Sequence, residues 1–200
     1  MDQALLRIPA YSRWLAGRCL NWFGDTVMVL VLSMWTKRLT GSSSQAGLTM
    51  ALPMAPTLVA PASGLLVDRF PRHTAIVIGN TVSAIALLPL VRVRTPGDVW
   101  IIWGVAVLYG TSGAILPSAS SALQRSIVPD DLLADAQGVQ QSVATVLQLI
   151  APIAGAALYT AWGGAGPNIL AAASFIAGAM VFTRFREPPA QARRGEDTNL

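Results

Sequence analysis

Asp25 is the residue with the most distinctive chemical setting in this sequence. It follows Asn21-Trp22-Phe23-Gly24 and precedes the apolar run Val27-Met28-Val29-Leu30-Val31-Leu32. In hydrocarbon a central aspartate costs about 2.5–3.5 kcal/mol, so such a group is expected to face water or a partner, and it marks a functional site by default. The chemistry open to it is reversible protonation, in which a neutral acid and a carboxylate alternate as a proton is carried. The other use the sequence allows is a structural carboxyl near the interface, capped by Arg18 or by a helix end. Asn21 lies four residues earlier and so shares the helix face of Asp25. Gln148, in a later apolar run, is a third polar candidate for a coupling site or cavity lining.

Other chemistries are disfavoured. One cysteine, Cys19, rules out an internal disulfide, and with a single histidine, His73, there is no Cys/His set for zinc. No GxxxxGK[ST] phosphate loop and no HExxH occur, so neither an ATP-driven pump nor a zinc hydrolase is expected within this polypeptide. No enzyme activity, cofactor or metal is expected. The formal charge of +4 comes from basic residues gathered in short stretches between apolar runs, a topology signal and not a nucleic-acid surface.

The elements that must hold Asp25 are apolar and long. Of 200 residues 53% are hydrophobic and 12% charged, and the mean hydropathy is +0.52, too apolar for a water-facing globule of this size. Runs of about 20 apolar residues match a hydrocarbon core of about 30 Å. Six such runs are expected to be transmembrane helices: Trp14 to Trp35, Ala46 to Val67, Thr74 to Val91, Val99 to Leu123, Ala136 to Trp162 and Gly164 to Thr183. A soluble helix would need a polar stripe, and the second run has no charge on any face before its end. Its prolines at 53, 56 and 61 are expected to mark kinks, because neighbouring helices can satisfy the freed backbone groups. Gly163-Gly164-Ala165-Gly166-Pro167 suits a tight turn between the last two runs.

Cations sort unevenly on alternate sides. Arg7, Arg13, Arg18, Arg69, Arg72, Arg125, Arg184, Arg186, Arg193 and Arg194 fall on one side, against Lys37, Arg38, Arg92 and Arg94 on the other. Ten against four places both termini in the cytoplasm of a multi-pass cell-membrane protein. Trp14, Trp35, Trp100, Trp103 and Trp162 stand near run ends, where indoles favour the headgroup layer, although plain packing would also explain each. Met1 to Ala10 has no apolar core with a cleavage site, so no signal peptide is expected to be removed. Residues 1–186 read as one six-helix bundle and 187–200 as a polar cytoplasmic tail or truncated linker, opened by Glu187-Pro188-Pro189.

Three segments carry a family resemblance. Gly64-Leu65-Leu66-Val67-Asp68-Arg69-Phe70-Pro71-Arg72-His73 resembles the cytoplasmic signature of major facilitator superfamily transporters, matching at Gly64, Asp68, Arg69 and Arg72, with Pro71 where glycine is usual and His73 where a second basic residue is usual. The resemblance implies a conformational latch that grips the opposite helical bundle, and it casts Gly24-Asp25 as the helix-one acidic position of many drug exporters. Gln148-Leu149-Ile150-Ala151-Pro152-Ile153-Ala154-Gly155-Ala156 is similar to the antiporter signature, with Pro152 and Gly155 kept and Ala151 and Ala156 replacing glycines. Val128-Pro129-Asp130-Asp131-Leu132-Leu133-Ala134-Asp135 resembles the macrolide-exporter branch, and by its own chemistry reads as a helix N-cap with Asp135 near the positive end. The basic residue found within helix four of many proton-coupled exporters is absent, since Arg125 lies beyond the apolar core.

The chain is thus expected to be an all-α membrane protein, the N-terminal six-helix half of a major-facilitator-type fold. Its implied activity is export of small amphiphilic compounds or drugs with proton coupling. Expected partners are lipid, the small-molecule substrate, protons and a second six-helix half, as a second copy or a separate chain. Since alternating access needs two bodies, a non-transporting fragment, a membrane scaffold or a partner subunit remain as alternatives.

Overall fold

The computed structural model describes residues 5, 7–59 and 71–185. Helix α1 spans Pro9–Thr40 and α2 spans Ser43–Ala51, continuing as a 3-10 segment over Leu52–Val59. Helix α3 covers Arg72–Ala86 with a 3-10 extension Leu88–Arg92, α4 covers Val99–Ile127, α5 Leu133–Trp162 and α6 Ala165–Thr183. No strand occurs among the described residues. Among the described residues, five segments are long and apolar enough to cross a membrane: Pro9–Thr40, Arg72–Arg92, Pro96–Ile127, Asp130–Trp162 and Ala165–Thr183. The second expected run is the exception: its α-helix stops at Ala51, where Pro53 and Pro56 take away backbone N–H groups, and its stretch from 60 to Val67, with Pro61, lies outside the described residues. Helix α1 overruns its expected ends by five residues on each side, α2 and α5 begin three residues early and α4 ends four late, whereas α6 begins one residue late.

Turn chemistry sets the junctions. Gly41 closes α1 in the left-handed region (φ 69°), its N–H donating to the Lys37 carbonyl. The Ser42 side chain accepts from the Gln45 N–H to start α2. Gly163, at φ 62° and ψ −154°, lies in a region only glycine enters readily, which makes the α5–α6 turn. At the other end of α5 the expected cap differs: Leu132 occupies the N-cap after a 3-10 turn at Asp130–Leu132, and Asp135 sits inside the first helical turn, near the positive end but making no cap hydrogen bond.

Helix α1 is the hub, packing against α2, α4, α5 and α6. Its apolar residues follow no single stripe, the pattern of a helix covered on several sides. Its seam with α6 is antiparallel and size-matched. Gly17 and Gly24 of α1 face the Phe182 and Phe175 rings of α6, and midway the pattern inverts, so that Gly178 of α6 faces Asn21 of α1. A ring beside a bare backbone fills space at close helix approach, where a Cβ would collide at Gly17 and crowd the ring at Gly24. Gly110 of α4 meets the Pro53 backbone in the same way. Helix α5 is covered mainly by α1 and leaves Val146, Leu149, Ile150 and Ile153 exposed.

Two hydrophobic cores result. One holds Val27, Met28, Val31, Leu87, Ile102, Tyr109 and Phe175, and the other holds Tyr11, Trp14, Ile76, Leu116, Leu123 and Phe182. Between them, on each helix that joins both cores, stand polar residues or a glycine: Arg18, Asn21 and Asp25 on α1, Asn80 and Ser83 on α3, Ser112 on α4, Gln140, half-buried, and the exposed Gln148 on α5, and Gly178 on α6.

Candidate functional site

This polar waist contains Asp25. Its carboxylate Oδ1 accepts a hydrogen bond from the Tyr109 hydroxyl of α4. Asp25 is half-buried, while Tyr109 is 5% exposed and its ring meets Phe175 of α6 at 5.9 Å between centroids. A phenol on a second helix therefore supplies the partner that a carboxyl in an apolar interior requires. Tyr109 was not among the sequence candidates. The signal for it was weak, since a tyrosine in an apolar run reads as packing until the helix opposite it is known.

Asn21 does sit one turn from Asp25, but it turns to a different neighbour. It is 1% exposed, with its amide oxygen against Gly178 of α6. Arg18, counted among the flanking cations, is buried by its neighbours. It lies nine residues inside α1, about 13 Å along the axis, is 7% exposed, and its guanidinium carbon stands 4.5 Å from the centroid of the Trp22 ring. A guanidinium is weakly hydrated and stacks on indole, which suits it to a buried position. The cation tally without it is nine against four, so the side bias persists.

Gln148 is exposed on α5. Pro152 is half-buried, and a Cβ on Gly155 would meet Val27 at 3.3 Å and Val31 at 3.4 Å, so the antiporter-like segment forms the close α5–α1 approach two residues beyond Asp25. Gly64, Asp68 and Arg69 lie outside the described residues. Arg72 is described, and its guanidinium donates to the Ala122 carbonyl of α4 at 3.1 Å, tying the start of α3 to the end of α4.

The tryptophans divide into two uses. Trp100 and Trp162 are each 68% exposed, as a lipid-facing belt requires. Trp14 is buried and donates to the Ser120 carbonyl, and Trp103 donates to the Thr49 hydroxyl at 3.0 Å, bracing α4 against α2. Thr49 in turn contacts the Thr36 hydroxyl of α1.

Comparisons with known proteins agree with this architecture. The sequence model of the Major Facilitator Superfamily matches residues 14–199. Macrolide efflux protein A of Streptococcus pyogenes is 26% identical over 161 residues, covering 78% of this chain and 39% of that protein, and the same protein of Streptococcus pyogenes serotype M6 matches equally. The chain therefore spans about two-fifths of the length of these relatives. No solved structure matches it significantly. With apolar helices long enough to span a bilayer and a family match over nearly all of its length, this chain is a multi-pass membrane protein that belongs to the major facilitator superfamily.

Proposed function

We propose that this chain is one half of a secondary exporter of small amphiphilic compounds across the cell membrane, and that Asp25 couples export to protons. The observation that carries the reading is the Asp25–Tyr109 pair, a carboxyl inside one membrane helix held by a donor from another. Charged, Asp25 accepts the phenol hydrogen bond; protonated, it becomes a donor itself and the α1–α4 contact changes character. A protonation event is thereby converted into a change in how two packed helices are joined, which is the local step a proton-driven transporter needs. The similarity to macrolide efflux proteins supports a bulky amphiphilic drug as cargo.

The second body is a further copy of the chain or a separately encoded half, since alternating access moves two bundles around one site. In that assembly Gly64, Asp68, Arg69 and Arg72 form the cytoplasmic latch, and Pro152 and Gly155 shape the α1–α5 seam.

The test is accumulation of a labelled macrolide and of a fluorescent amphiphile in a drug-sensitive host. Expression of the chain lowers both, and Asp25→Asn abolishes the effect with membrane insertion unchanged. Efflux retained by Asp25→Asn removes the coupling role. Crosslinking in native membranes checks the assembly, with a discrete complex expected, whereas monomer alone together with no efflux marks a non-transporting fragment.

A further inference from the structure

The polar waist contains more hydrogen-bonding capacity than its side chains use on one another. Asn21 is 1% exposed and Asn80 0% exposed, and among the described residues neither atom of the Asn21 amide has a hydrogen-bond partner, nor has the Asn80 Oδ1. The Arg18 Nε and the Ser83 Oγ, on the same two helices, are likewise buried and unpartnered. Buried polar groups in native proteins are almost always satisfied by protein or by ordered water, so five such atoms in one layer require a common explanation.

The geometry supplies one at Gly178. The amide oxygens of Asn21 and Asn80, carried by α1 and α3, both look onto this glycine of α6; a Cβ there would lie 3.5 Å from the Asn80 oxygen and closer still to that of Asn21. The Asn80 amide nitrogen is already committed to the Ile76 carbonyl at 2.9 Å, so its oxygen is fixed toward Gly178 and is not free to turn away. Two acceptors converge where a side chain is missing, with the Asn21 amide N–H and the Arg18 Nε–H as donors in the same layer. Water offers two donors and two acceptors and matches this set. A monovalent cation matches it less well, because the set includes two donors, the Asn21 N–H and the Arg18 Nε–H, and the neighbouring carboxylate, Asp25 one turn along α1, already accepts from Tyr109.

We propose that Asn21, Asn80 and Gly178 build an internal hydration site, holding water between α1, α3 and α6 inside the membrane-embedded bundle. The site joins three helices through hydrogen bonds that none of them makes directly, one helical turn from Asp25. It does not depend on Asp25 carrying protons, and it stands or falls separately from the exporter reading.

The test uses the full chain in lipid vesicles, with asparagine side-chain amides labelled with nitrogen-15 and water-to-protein magnetisation transfer followed by solid-state NMR. The Asn21 and Asn80 amides should receive water magnetisation as quickly as surface amides do, although both are enclosed. Gly178→Ala, which places a methyl group at the site, should remove that transfer at both positions. Should that variant fail to fold, Asn80→Leu should remove the transfer at Asn21. Absence of transfer in the unmodified chain would mean a dry amide pair and overturn the proposal, as would transfer that survives both substitutions. Resonance shifts at the two amides on exchanging choline for sodium would also overturn it, in favour of a cation.

Discussion

A half-buried carboxylate and a phenol from a separate helix form the contact on which the functional reading turns, and it is made by two atoms with no sequence neighbourhood in common. Tyr109→Phe keeps the ring packed against Phe175 and removes only the donor, leaving Asp25 without its partner. The expected cost is about 1–3 kcal/mol of stability, read from thermal unfolding in detergent, with partial loss of efflux where Asp25→Asn loses it entirely. Equal efflux by Tyr109→Phe and the unmodified chain would assign the pair a packing role alone. Asp25 was legible from the sequence because a single charge in an apolar run is anomalous by itself. Tyr109 was not, since amphipathic phenols are ordinary residents of membrane helices.

Between helices, the decisive feature is the pairing of glycines with rings along the α1–α6 seam. Gly17→Ala drives a methyl into the Phe182 ring and should destabilise the bundle by about 1–3 kcal/mol, while Phe182→Leu in the same chain should restore part of the loss. A double-mutant cycle on the purified chain measures this coupling, and additive effects would show that the two positions do not share one space. Gly163→Ala tests the turn instead of the seam. It forces a side chain into backbone geometry that glycine alone tolerates, at about 1–3 kcal/mol, and should lower the unfolding temperature without altering the α1–α6 coupling. Pro53 and Pro56 end the α-helix of the second run at Ala51 in favour of a 3-10 segment, where a kinked helix was expected. How far the α-helix would run on into that segment could not be read from hydropathy, which registers apolar character and not hydrogen-bond pattern.

Across the whole molecule, orientation is a matter of summed charge, and losing Arg18 from the flanks leaves the asymmetry standing. Reporter fusions after Pro189 and after Arg94 should report the cytoplasm and the exterior respectively, and the reverse assignment would invert the topology. Asp68→Asn should slow conformational cycling more than it weakens substrate binding, compared through efflux rate and equilibrium drug binding in the same vesicles; equal loss of both would contradict a latch. Helix α5 presents the exposed apolar residues Leu149, Ile150 and Ile153 beyond its contact with α1, a surface suited to lipid or to a second bundle.

Residue order alone determined that this chain lives in lipid, roughly where its helices run, and that Asp25 is exceptional, because hydrocarbon imposes its length and polarity limits on each segment independently. Which side chains meet was decided only by tertiary packing. Asn21 and Asp25 share a helix face, yet one turns to Gly178 and the other to Tyr109, since adjoining turns of a central helix look onto different neighbours. Arg18 reads as a boundary cation from its position, and packing buries it with its guanidinium over an indole four residues later, where stacking replaces water as its company.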